Sequence, residues 1–127
     1  MRQVRLTQSA QADIVDILAW SHEHFGAGAG LRYEALIAAA LRDVADSAGG
    51  LGGTPRPELG KDVYSWHLRR SRDRSLAGPV HRPRHFLVYR LDQDLVVIGR
   101  VLHDAMELHR HLESGSSWAV ADQAEQR

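Results

Sequence analysis

The chain has 127 residues, 43% hydrophobic and 25% charged, with a formal net charge of zero and no cysteine. That size fits one domain with a single buried core, and the missing cysteines exclude disulfides, thiolate catalysis and cysteine metal sites. No run approaches the roughly 18 apolar residues of a membrane helix and no apolar signal segment follows Met1-Arg2-Gln3-Val4-Arg5, so the expectation is a cytoplasmic protein without a membrane partner.

The balanced charge hides an asymmetry. Residues 61–90 carry Lys61 and seven arginines against Asp62 and Asp73, a net of +6, whereas residues 1–50 carry −2 and residues 91–127 carry −4. A basic patch confined to one part of a small domain is the footprint of an acidic partner. The competing reading is a solvated loop kept soluble by arginine.

In chain order, Val4-Arg5-Leu6 is a short strand candidate, and Thr7 and Ser9 are both N-cap candidates. From Ala10 the positions Ala10, Ile14, Ile17, Leu18, Ser21 and Phe25 repeat with helical spacing, and Asp13 and Asp16 sit where the helix dipole favours acids. Gly26 ends this helix. A second helix runs to about Ser47, with Tyr33, Leu36, Ile37, Ala40, Leu41 and Val44 on one stripe, so the two form an antiparallel hairpin. The glycine-rich stretch from Gly49 to Pro55 breaks regular structure, and the loop continues to Lys61.

Val63, Ser65 and His67 alternate with Tyr64, Trp66 and Leu68 as in a strand. Arg69 to Pro83, dense in arginine and punctuated by Gly78, Pro79 and Pro83, reads as a long, mobile connection. The apolar runs Phe86–Tyr89 and Leu95–Leu102, separated by Asp92-Gln93-Asp94, read as an antiparallel hairpin at the centre of the sheet. A short helical segment then leads to Leu112, and residues 113–127 form a small, polar, flexible tail.

The fold expected is α+β. An N-terminal strand and an antiparallel two-helix hairpin pack on one face of a small, mainly antiparallel sheet, with a short C-terminal helix, all within one domain over residues 1–112. The opposite face is expected to gather Tyr64 or Ser65 with His67, Arg84, Arg90 and Arg100. His103, His109 and His111, with Asp104 and Glu107, are close in sequence. No motif supports zinc there, so these histidines are read as a sheet-end residue capping backbone and two solvated ones, with no metal or cofactor. Arg69, Arg70, Arg72, Arg74, Arg84 and Arg90, with Tyr64 and Trp66 nearby for stacking, suit either phosphate or an acidic protein surface.

Several stretches resemble the ParE branch of the ParE/RelE bacterial toxins. They are Pro57-Glu58-Leu59-Gly60, Arg84-His85-Phe86-Leu87-Val88-Tyr89-Arg90, Arg100-Val101-Leu102-His103-Asp104-Ala105-Met106-Glu107 and Arg110-His111-Leu112, with a commoner opening over residues 6–14. The resemblance implies the toxin half of a type II toxin–antitoxin pair. A cognate ParD-like antitoxin would hold it silent in a hetero-oligomer, with DNA gyrase as the target. With that resemblance, the six arginines are assigned to target contact and Trp20, Tyr64 and Trp66 to antitoxin contact. His103, Met106 and Arg110 belong to the family's C-terminal signature without an assigned role. Two alternatives stand beside this one: a ribosome-dependent mRNA endonuclease and an inactive antitoxin-binding module. The nuclease would need a base, an acid and cations placed together, yet Lys61 is the one lysine and no tyrosine follows Tyr89.

Overall fold

The computed structural model describes residues 2–46 and 52–105. Strand β1 (Gln3–Leu6) passes into helix α1 (Gln8–Phe25), which Gly26 separates from α2 (Ala27–Asp46). Strands β2 (Thr54–Pro55), β3 (Val63–His67), β4 (His85–Asp92) and β5 (Leu95–His103) complete one five-stranded sheet in the order β1-β5-β4-β3-β2. β1 lies parallel to β5 and the other pairings are antiparallel. This is the α+β arrangement expected, and no helix among the described residues is long and apolar enough to cross a membrane. The expected C-terminal helix and tail lie outside the described residues.

Local chemistry explains the boundaries. The Thr7 side chain accepts the Ala10 N–H at 3.0 Å and donates to the Gly99 carbonyl at 2.8 Å, so one hydroxyl caps α1 and ties it to β5. Gly26 takes φ 92°, a left-handed value that favours glycine, and closes α1 with its N–H on the His22 carbonyl. Asp92 pairs with Leu95, leaving Gln93-Asp94 as a two-residue hairpin turn with Gln93 at φ 54°.

The helices cover one face of the sheet. Tyr33, Leu36, Ile37, Ala40 and Val44 of α2 pack with Trp66, Leu87, Tyr89, Val96 and Ile98. Val63, Phe86, Val88 and Leu102 form a second buried cluster, with Leu59 packed against it. Burying each large side chain contributes about 1.5–3 kcal/mol, so the main cluster supplies most of the driving force.

Three expectations are corrected. Asp13 does not serve the first turn of α1; it accepts from Arg100 and from the Val101 N–H of β5. That pairing also holds Arg100 against α1 instead of leaving it among polar groups on the far face. Thr54–Pro55, read as loop, forms an edge strand on Tyr64 and Ser65, a position where proline's missing N–H costs nothing. The connection expected to be mobile begins with a 3-10 helix, Leu68–Arg74, whose Leu68 and Ser71 are fully buried against α2. The three-residue spacing of Leu68 and Ser71 matches the 3-10 repeat, and Ser71 Oγ accepts the buried Trp66 indole N–H at 3.0 Å.

Gly53 shows how closely β2 approaches the core. A Cβ there would lie 2.1 Å from the Tyr89 hydroxyl and 2.9 Å from the Ser65 carbonyl oxygen. Gly53→Ala is therefore expected to cost about 1–3 kcal/mol, as overpacking usually does. Removing the hydroxyl in Tyr89→Phe should relieve part of that cost. Urea unfolding of the two single variants and the double variant measures the coupling, and strict additivity would show that the hydroxyl is not the obstacle.

Candidate functional site

Two features adjoin at the end of the sheet where β4 begins and β5 finishes. The first is a groove of about 950 Å³ between the helical hairpin and the segment 79–85. Ile17, Tyr33 and Val80 give it an apolar interior. At its lip stand Trp20, 52% exposed, and Phe25, 66% exposed, which is unusual for large aromatic side chains. They meet edge to face at 5.4 Å between ring centroids, and His24 stacks on Trp20 at 4.3 Å. The groove therefore offers a preformed aromatic lip.

The second feature is a hydrogen-bonded clasp. The Tyr33 hydroxyl accepts the Arg84 N–H at 3.1 Å and lies 2.7 Å from His85 Nδ1, to which it donates. Arg84 reaches both Asp104 carboxylate oxygens, and its carbonyl accepts the Asp104 N–H at 2.8 Å. His67 Nε2 donates to Asp104 at 3.2 Å while its Nδ1 accepts the Arg69 N–H at 3.1 Å. His103 Nδ1 accepts the Ala105 N–H at 3.1 Å. Arg84, then His67, hold the Asp104 carboxyl below the usual carboxylate range by hydrogen bonding. Burial, and then repulsion by His103, lower His85 from 6.5 to about 4, and burial pushes Tyr33 up to about 12.

Both ring nitrogens of His67 are committed to the fold, and one each of His85 and His103. The cluster thus works as a fastening between strand ends, with its candidate bases already engaged. Among the described residues no group of histidines and acids has the makings of a metal site.

The assigned arginines do not form one patch. Arg70 stacks over the Trp66 ring at 3.8 Å and donates to the Gly52 carbonyl. Arg72 donates to the His81 carbonyl at 3.2 Å, and Arg74 pairs with Asp43 at 2.7 Å. These three pin the 3-10 helix to its surroundings. Arg69 is exposed beside His67, and Arg84 stands with its side chain 59% exposed, so those two do adjoin the clasp. Arg90 is six residues farther along β4, about 20 Å away, beside a polar cleft formed with Lys61 and Asp92.

Of the aromatic assignments, Trp20 borders the groove, whereas Tyr64 is half-buried and stacked on Tyr89 at 5.7 Å. Trp66 is only 4% exposed, with its N–H satisfied by Ser71, and so belongs to the core. His103 lies in the clasp and lines the groove; Met106 and Arg110 fall outside the described residues. The sequence pattern missed Phe25, Arg32, Val80 and Arg82. The usable signal was Phe25 directly before the helix-ending Gly26, where a buried stripe has no further turn to continue on.

The family model described as "ParE toxin of type II toxin-antitoxin system, parDE" matches residues 4–108. The chain belongs to the ParE toxin family. No curated protein matches it significantly. Among solved structures, one described as "Chromosomal ParDE TA system from P. aeruginosa" superposes with a TM-score of 0.58 at 17% identity, covering 81% of this chain and 96% of that one. At that identity the likeness is one of fold. The ParE match extends over both features, so the groove and the clasp are parts of the toxin domain.

The clasp has a pH signature. With His85 at about 4 when folded and 6.5 when free, the fold favours neutral imidazole. Its contribution to stability is complete above pH 6.5 and drains away as pH falls toward 4. The thermal midpoint should fall across that window, and fall less steeply in His85→Gln. Equal slopes in the two proteins would remove His85 as the cause.

Proposed function

We propose that this ParE-family chain is the toxin of a type II toxin–antitoxin pair, acting in the cytoplasm by binding and disabling DNA gyrase and silenced by a ParD-like antitoxin. The observation that carries the antitoxin half is the preformed groove with Trp20 and Phe25 at its lip, a concave apolar surface of the kind that helical partners fill. Family membership supports the toxin half. Inhibition by binding, without RNA cleavage, is favoured because the sheet-end histidines already spend ring nitrogens on backbone, Asp104 and Tyr33.

Within this reading, Arg69 and Arg84 are the arginines placed for target contact, since both are exposed beside the clasp. Arg70, Arg72 and Arg74 act first on the fold through Trp66, the His81 carbonyl and Asp43. Trp20 is the antitoxin contact of the three aromatic residues, because its ring is already at the groove.

Purified gyrase is expected to lose supercoiling activity and accumulate cleaved DNA when the protein is added, and to recover on addition of the antitoxin. Arg69→Ala combined with Arg84→Ala should weaken inhibition by about tenfold or more, the scale of one to two interfacial charge contacts. Full gyrase activity at high protein excess would sink the gyrase target. Cleavage of translated message would then move the chain to the ribonuclease class, and harmlessness on expression alone to the antitoxin-binding module.

A further inference from the structure

The groove's polar lining is lopsided. Arg32, Arg82 and Arg84 border it against one acid, Asp16. Arg84 is engaged by Asp104, but among the described residues neither the Arg32 nor the Arg82 guanidinium has an ion pair or hydrogen bond. Arg32 lies along the opening, its Nη1 3.2 Å from the Cβ position of Gly28 and its Cδ 3.9 Å from that of Gly78. It thus reaches from the start of α2 to the opposite wall. Two solvated cations flank an apolar interior whose aromatic lip is already exposed.

We infer that the groove docks a helical segment of a protein partner, carrying apolar anchors flanked by carboxylates. The anchors enter between Trp20, Phe25 and Val80, and the carboxylates meet Arg32 and Arg82. The inference rests on the toxin reading in taking the antitoxin as that partner. A helix fits better than a strand because neither edge strand of the sheet, β1 or β2, contributes to the lining, so no unpaired backbone ladder is offered. A protein fits better than a nucleic acid because a phosphate chain would desolvate its charges over Ile17, Tyr33 and Val80 with only two uncommitted cations to receive them. Trp and Arg together are also the side chains that dominate interface energetics.

The test uses the full chain and a fluorescently labelled helical peptide of about 18 residues, long enough to populate a helix. It has leucine at i, i+3, i+4 and i+7 and glutamate on both flanks. Fluorescence anisotropy should give saturable binding that weakens as salt rises. A peptide with lysine in place of each glutamate should bind about tenfold more weakly or worse, as should the glutamate peptide to Arg32→Glu/Arg82→Glu. Both arginines are exposed and make no internal bond, so the double variant should keep the native circular dichroism spectrum and melting temperature. Trp20→Ala, also at an exposed position, should weaken the peptide without changing its preference for glutamate over lysine.

Equal binding of the two peptides, indifference to the arginine reversal, no saturable binding, or tighter binding of a thymidine oligonucleotide would each overturn the inference. Gyrase supercoiling is measured on the same preparation. Failed peptide binding with gyrase inhibition intact removes this docking chemistry alone, whereas lost gyrase inhibition with peptide binding intact removes the gyrase target and leaves the groove.

Discussion

Most of this architecture depends on how one edge of β5 is satisfied. β1 pairs with β5 only from Leu95 to Ile98, and the strand continues to His103. A bulge follows, where Val88 pairs with Arg100 and Tyr89 with Ile98, leaving Gly99 outside the pairing. Beyond that point β5 would present unpaired backbone groups in a half-buried setting, an expensive condition. α1 takes over from β1. The Thr7 hydroxyl takes the Gly99 carbonyl, and Asp13 takes the Val101 N–H together with both ends of the Arg100 guanidinium, at 2.7 and 2.9 Å. Asp13 and Arg100 side chains are 15% and 19% exposed, so removing either would strand a largely buried charge at a cost of about 3–5 kcal/mol. The pair fixes where α1 lies, and α1 fixes α2 and one wall of the groove.

The other wall is held by arginines that composition alone presents as a docking patch. An arginine-rich stretch containing glycine and prolines has the look of a mobile basic loop. Its solution is different because three arginines find partners inside the chain: the Trp66 ring, the His81 carbonyl and Asp43. Exposed ion pairs of this kind contribute little each. Their combined effect is positional. They stop the 3-10 helix from rotating off Leu68 and Ser71, and Arg72 carries the restraint on to His81 at the edge of the groove.

Sequence patterning revealed the elements whose periodicity is set by burial on one side. The α2 stripe, the β4–β5 hairpin, the Thr7 cap and the Gly26 stop all appear where the pattern places them. Illegible parts were those decided by a partner distant in sequence. Asp13 looked like a first-turn acid because the competing Arg100 is 87 residues away. Trp66 looked like a surface aromatic on an alternating strand, because nothing local announces that Ser71 will satisfy its indole. β2 was invisible because two residues carry no period, and only the room left by Gly53 for the Tyr89 hydroxyl admits it. The groove belongs to the same class, since its lip comes from α1 and α2 and its far wall from residues 79–85.

The clasp and the groove are mechanically one unit, which bears on how such a surface keeps its shape before a partner arrives. Tyr33 sits on α2 and lines the groove, yet its hydroxyl bonds to the Arg84 backbone and the His85 ring at the start of β4. Arg84 in turn is held by Asp104 at the end of β5, and Asp104 by His67 of β3. A displacement of the far wall therefore has to break bonds to three strands and a helix together. Pre-organisation of that kind removes an ordering cost from binding and directs partner affinity into the contacts themselves. It also explains why histidines with ring nitrogens spent on the fold still line a recognition surface: their task there is to fix the wall against which Trp20 and Phe25 stand.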